Sequence, residues 1–159
     1  MDYHSFLKTK LEHRHPDGVD INPSQIHESL HPFQRDLVTW AAKVGRAALF
    51  ADTGLGKTRM QIEWGRLVTD QTVLILAPLA VVQQTIREGA SIGVPIRYSR
   101  DGDIGADKFI ITNYERLDLF NPEYFGALVL DESSILKDFT SKTKKSMVEF
   151  AGEIPYRLA

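Results

Sequence analysis

The run Val73-Leu74-Ile75-Leu76-Ala77 contains no polar side chain and is halted by Pro78. A strand with one face in water alternates apolar and polar residues, so an unbroken run marks a strand buried on both faces. Ala127-Leu128-Val129-Leu130 repeats the pattern and ends in Asp131-Glu132. Such strands need helices above and below, and the sequence between them has helical periodicity. Phe33, Leu37, Trp40 and Ala41 recur at helix spacing and predict a helix from Pro32 to about Val44. Further helices are predicted from Lys57 to about Val68, from about Ala80 to Ser91, and over Lys142–Ala151. Weaker strands are expected near Ile96–Ser99 and Phe109–Thr112, and Ala47–Ala51 is a short apolar run leading into a Gly-rich turn. Strands alternating with helices imply an α/β fold, with a mainly parallel sheet between two helical layers. Ligands of such sheets bind at the carboxyl ends of the strands.

A chain of 159 residues favours one domain and can bury a real core. It has no cysteine, which excludes disulfides and thiolate chemistry and limits any zinc site to His and carboxylates. No apolar stretch approaches 18 residues and there is no signal-peptide core, so a cytoplasmic setting without membrane insertion is the expectation. The net charge is −2. A domain that grips nucleic acid alone is usually basic, because neutralising phosphates supplies most non-specific affinity. Any such contact is therefore expected to be local or shared. Residues 1–29 form a polar, His-rich extension with turn signals at Pro16-Asp17-Gly18 and Asn22-Pro23. A short helix around Phe6, Leu7 and Leu11 is conceivable there, and His13-Arg14-His15 reads more readily as exposed surface than as a metal or phosphate contact.

The segment Ala51-Asp52-Thr53-Gly54-Leu55-Gly56-Lys57-Thr58 has the residues of a P-loop. Gly54 and Gly56 allow the backbone to turn so that several N–H groups face one anion. The helix opening at Lys57 adds the positive end of its dipole. Lys57 would reach the β- and γ-phosphates and the Thr58 hydroxyl would hold Mg²⁺. A Gly-rich strand–helix connection without a ligand is the plain alternative. The apolar run before the loop and the helix after it favour nucleotide.

Asp131 and Glu132 close the second apolar strand. A P-loop ATPase needs a carboxylate there for the Mg²⁺ shell and a group that orients the attacking water. Asp131 suits the first role and Glu132 the second. Taken alone, Asp-Glu after a strand is more often a solvent boundary; beside a P-loop it reads as catalytic.

Four further segments fall in the order found in superfamily 2 helicases, and most resemble the Swi/Snf-type translocases. Leu30-His31-Pro32-Phe33-Gln34 resembles their Q-type motif, which would set Gln34 against the adenine edge. Ala77-Pro78-Leu79-Ala80-Val81 resembles motif Ia, and Ile111-Thr112-Asn113-Tyr114-Glu115 resembles motif Ib. Asp131-Glu132-Ser133-Ser134 stands at motif II, followed by the similar stretches Leu136-Lys137-Asp138 and Ser141-Lys142-Thr143. Ala51, where the general P-loop has Gly, is common in this superfamily. The Ser-Ser ending of motif II departs from the usual box and blurs the subfamily, so a phage or restriction-type motor fits as well as a remodeller.

The resemblance spans residues 30–159 and implies a RecA-like P-loop lobe, with ATP and Mg²⁺ as ligands and Thr53, Gly54, Leu55, Gly56, Lys57 and Thr58 around the phosphates. It implies stepping along duplex DNA rather than RNA, with Pro78, Thr112 and Asn113 touching the phosphate backbone; for Thr112-Asn113 a helix-capping role is an equal alternative. Lys137, Lys142, Lys144 and Lys145 would extend that track or form a solvated face, the second being favoured. The match stops at the start of motif III, Tyr156-Arg157-Leu158-Ala159, so a second RecA-like lobe bearing the arginine finger is expected in cis or trans, and Arg157 is not that finger. The motif III strand is expected between the P-loop strand and the acidic strand. Trp40 and Trp64 read as core or interface packing. A DEAD/DEAH-type RNA helicase lobe and a non-catalytic nucleotide-binding module remain open beside the DNA translocase.

Overall fold

The computed structural model describes residues 18–51, 54–131 and 140–159. The helix weighed at Phe6–Leu11, the His13–His15 cluster, Thr53, Glu132 and Lys137 lie outside these residues. Among the described residues, four α-helices and six strands follow in the order α1 (Pro32–Val44), β1 (Arg46–Ala47), α2 (Lys57–Val68), β2 (Thr72–Leu76), α3 (Val82–Ser91), β3 (Arg97–Tyr98), β4 (Phe109–Thr112), β5 (Phe125–Leu130), α4 (Ser141–Glu153) and β6 (Tyr156–Leu158). They form one sheet in the order β1-β6-β5-β2-β4-β3, and every adjacent pair is parallel.

The unbroken apolar runs are divided between two cores. Val73 and Ile75 of β2, Phe109 and Ile111 of β4, and Ala127 and Val129 of β5 pack in one core, with Val38 and Ala41 of α1, Met60 and Trp64 of α2, and Val82 of α3. Leu74, Leu76, Ile110 and Leu128 face the opposite side, with Met147, Phe150 and Ala151 of α4 and with Tyr114, Leu117 and Phe120. The molecule is thus a three-layer α/β/α structure whose central strands are covered on both faces. Gly65 lets α2 lie close on the sheet: a Cβ there would stand 3.0 Å from Val73 Cγ1 and 3.1 Å from a Phe109 ring carbon.

Differences from the sequence reading have local causes. The helix expected from Ala80 begins two residues later, because Leu79–Val81 first makes a 3₁₀ turn after Pro78. The run Ala47–Ala51 contributes only Ala47 to β1, although Leu49 still donates to the Ala159 carbonyl at 2.7 Å. Phe50, at the end of that run, is fully exposed beside the half-exposed Trp40, whereas Trp64 is buried in the core. The 3₁₀ turns at Tyr114–Leu119 and Pro122–Tyr124 carry no periodicity that announces them.

Residues before 30 make contacts with α1 and α2. Ile26 is buried in the core, and the Val19 amide donates to the Ala42 carbonyl of α1 at 2.8 Å. The buried Glu63 of α2 accepts from the His27 amide at 2.7 Å and from Arg66 at 2.6 Å, while Arg66 also donates to the Gln25 carbonyl. Its hydrogen bond to Glu63 raises the Arg66 pKa, against the opposing effect of burial. The segment from Gly18 onward therefore packs as part of the domain.

β6 lies between β1 and β5, the place expected for the motif III strand. Arg157 is paired in register with Arg46 and gives its guanidinium to the Ala151 carbonyl at 2.9 Å. Burial, and then the Arg46 charge, lowers the Arg157 pKa. It is a packing residue of the sheet.

Candidate nucleotide site

A cleft of about 730 Å³ is lined by Gln34, by Gly54 through Arg59, and by Asp131. Asp131 follows β5 directly, and Gly54 through Thr58 form the turn into α2, so the carboxyl side of the sheet brings together two segments far apart in sequence.

Gly54 and Gly56 have φ of +85° and +75°, a left-handed geometry that L side chains rarely adopt. Leu55 lies between these two turns, and the second leads directly into α2. Gly56 caps that helix without a side-chain bond, which leaves the first amides of α2 for solvent or an anion. Lys57 and Thr58 are half-buried at the helix start and line the cleft.

Gln34 is placed at the loop, but its amide is committed to the protein backbone. Its Oε1 accepts from the His31 amide and its Nε2 donates to the Leu55 carbonyl, each at 2.8 Å. A Cβ on Gly56 would come within 2.4 Å of that Nε2. In this conformation Gln34 braces the Gly-rich loop, and reading adenine would use only the valences left over. Two neighbours of Gln34, His31 and Phe33, complete this wall. The His31 and Phe33 rings are stacked, with centroids 6.2 Å apart and planes 6° from parallel, and both line the cleft. Arg59 forms the far rim and donates to Glu88 of α3 at 2.8 Å.

Asp131 is half-buried, its amide donating to the Leu76 carbonyl at 2.8 Å. The Tyr114 hydroxyl donates to its carbonyl at 2.6 Å.

The residues expected to touch nucleic acid fare differently. Pro78 is half-buried at the end of β2, next to the exposed Leu79. Thr112 is completely buried and its hydroxyl donates to the Ser99 carbonyl at 2.8 Å, so its side chain is no phosphate contact in this conformation. Asn113 takes the N-cap position of the Tyr114–Leu119 turn without capping it through its side chain. Its amide instead accepts from Tyr98 at 3.3 Å and donates to Glu115. Of the basic stretch, Lys145 faces Glu149 one turn along α4 at 3.9 Å. That contact fits the solvated face.

No protein-family model matches the chain, and no curated protein sequence matches it. Solved structures do. The chain is similar to the SWI2/SNF2 ATPase core of Sulfolobus solfataricus in complex with double-stranded DNA, with a TM-score of 0.71 at 21% identity over 89% of this chain and 33% of that one. The SWI2/SNF2 ATPase core domain of Sulfolobus solfataricus gives 0.70 at 22% identity over 87% and 32% of the two chains. The UvsW helicase of bacteriophage T4 gives 0.65 at 18% identity over 81% and 51%. The chain spans about a third to a half of the length of these structures. Its architecture is the α/β RecA-like fold that also occurs in the SWI2/SNF2 and UvsW structures.

Proposed function

We propose that this chain is the ATP-binding lobe of a DNA-dependent ATPase of the helicase-type translocases, with Mg-ATP as its ligand. The observation that carries the reading is the convergence of Gly54, Gly56, Lys57 and Thr58 with Asp131 on one cleft at the carboxyl side of a parallel sheet. The donor set fits the ligand: uncapped amides and an ammonium for phosphate oxygens, a hydroxyl and a carboxylate for a hard divalent cation. Bound Mg²⁺ would neutralise charge on the β- and γ-phosphates. The residues around it do the holding. The loop amides and Lys57 would bind the phosphates, Thr58 and Asp131 would hold the cation, and Glu132 would orient the attacking water. The stacked His31 and Phe33 offer a flat wall on the side of the cleft near Gln34.

Stacking, charge and loop geometry all act on the nucleotide, whereas stepping along DNA needs a second lobe that closes on it and supplies the arginine finger. The DNA assignment is supported by the fold shared with a SWI2/SNF2 core that was captured on duplex DNA. Thermal unfolding with Mg-ADP tests the nucleotide site. Ligand at about 100 times its dissociation constant should stabilise the fold by ~2.7 kcal/mol. For a chain of this size that is a rise of roughly 5–11 °C in Tm. Lys57→Ala should abolish most of the rise. An unchanged Tm in the wild-type chain at millimolar Mg-ADP would sink the reading.

A further inference from the structure

The carbonyl of Asp131 lies where the sheet cannot satisfy it. The β2–β5 register pairs Leu76 with Leu130, so one step further Ala77 faces Asp131. The Asp131 amide makes its ladder bond to the Leu76 carbonyl. In a parallel ladder the carbonyl of that same residue is next met by the amide two positions beyond, here residue 78. Residue 78 is proline and has no N–H. The Ala77 amide cannot replace it, because it points to the other side and donates to Thr112 of β4 at 3.0 Å. The donor arrives from outside the sheet, as the Tyr114 hydroxyl at 2.6 Å. Tyr114 opens the turn after β4 and its ring is buried in the core with Leu117 and Leu128, so a packed ring aims the hydroxyl.

We propose that Tyr114 is a positioning residue for the metal-side carboxylate: by donating to the Asp131 carbonyl in place of the amide that Pro78 lacks, it fixes the peptide from which the Asp131 side chain enters the cleft. The inference rests on the nucleotide-site reading above. It also ties the turn that begins after Asn113, a residue expected from the sequence to touch nucleic acid, to the acidic end of β5. A displacement of that turn moves the donor and with it the carboxylate.

The test is a Mg²⁺ titration of a fluorescent ADP analogue bound to the whole chain, without nucleic acid, for wild type, Tyr114→Phe and Thr85→Val. Thr85 loses a buried hydroxyl bond of the same kind, to the Val81 carbonyl, on a helix that does not carry Asp131. Outer-shell partners of metal ligands change metal affinity by about 10- to 100-fold when removed, and the lower end is expected here because the effect passes through the backbone. Tyr114→Phe should therefore raise the Mg²⁺ midpoint about tenfold and leave analogue affinity in EDTA within about twofold. Thr85→Val should change neither. Adding Pro78→Ala to Tyr114→Phe returns an N–H at the ladder position and should lower the midpoint again. An unchanged midpoint in Tyr114→Phe overturns the proposal. So does an equal loss of affinity with and without Mg²⁺, or a double variant that regains stability but not the midpoint. A wild-type chain that binds no analogue in either condition defeats the nucleotide reading first, and this inference with it.

Discussion

Gln34→Glu is the sharpest available perturbation of the phosphate loop, because it changes one atom of a side chain held at both ends. The Oε1 that accepts from the His31 amide at 2.8 Å is kept. The Nε2 that donates to the Leu55 carbonyl at 2.8 Å becomes a second acceptor, so two oxygens face each other where a hydrogen bond stood. Losing such a bond and leaving a polar contact unmet costs ~1–3 kcal/mol. Leu55 is part of the loop, so the cost falls on the loop conformation proposed to receive phosphate and lowers the fraction of competent sites. If it is felt wholly in the bound state, affinity drops by about 5- to 150-fold. The added negative charge beside the phosphates acts in the same direction. The assay compares Mg-ADP with Mg-pyrophosphate by thermal-shift titration. A brace acts on the loop, so both ligands should weaken by the same factor. A loss confined to Mg-ADP would show that Gln34 works on adenine and that the bond to Leu55 is incidental. Affinities within twofold of wild type for both ligands refute the brace altogether.

Glu63→Gln removes a buried charge that holds Arg66 and the His27 amide, and a charge-assisted bond of this kind is worth ~1.5–3 kcal/mol; because Arg66 is more than a third exposed, a loss of ~1–2 kcal/mol in urea unfolding is expected. The interaction raises the folded-state pKa of Arg66, so its contribution is complete below the ordinary guanidinium value and is lost only as pH climbs through the folded value. The stability difference between wild type and variant should therefore be flat between about pH 6 and pH 9. Steady-state hydrolysis by the chain alone should be slow, since an arginine finger is worth about 10³–10⁵ in rate and Arg157 is fixed in the sheet. DNA-stimulated turnover within about tenfold of an intact two-lobed motor would contradict this.

What could be read in the sequence was whatever repeats or sits at a fixed spacing. Val73–Ala77 and Ala127–Leu130 announced strands covered on both faces, and the two cores divide those residues alternately. Gly54, Gly56, Lys57 and Thr58 reach the same cleft as Asp131, because a parallel sheet puts the ends of its strands on one side whatever their separation in sequence. What could not be read depends on partners that sequence spacing does not encode. Thr112 looked like a surface contact, yet β4 is an inner strand and buries it against Ser99. Ile26 looked like part of a polar extension because nothing nearby is periodic, while Glu63, 36 positions along the chain from His27, anchors that segment. The stacked His31 and Phe33 belong to a motif already noted for Gln34, but the stacking joins the N-cap to the first turn of α1 and is not a spacing the sequence displays.

Both halves of the site are held by carbonyls, and this makes its failures separable. Gln34 grips the Leu55 carbonyl on the proposed phosphate side, and Tyr114 grips the Asp131 carbonyl on the proposed metal side. Neither brace supplies a charge to the ligand, so removing either leaves Lys57, Thr58 and Asp131 in place but less well aimed. Positioning errors of this kind appear in affinity and metal dependence before they appear in the identity of the groups that act. The two braces come from different elements, α1 and the turn after β4, on opposite faces of the sheet. With no partner shared between them among the described residues, their effects should add. A Gln34→Glu/Tyr114→Phe double variant that loses less than the sum of the two would mean that the cleft moves as one unit, with the acidic strand and the phosphate loop coupled through the sheet.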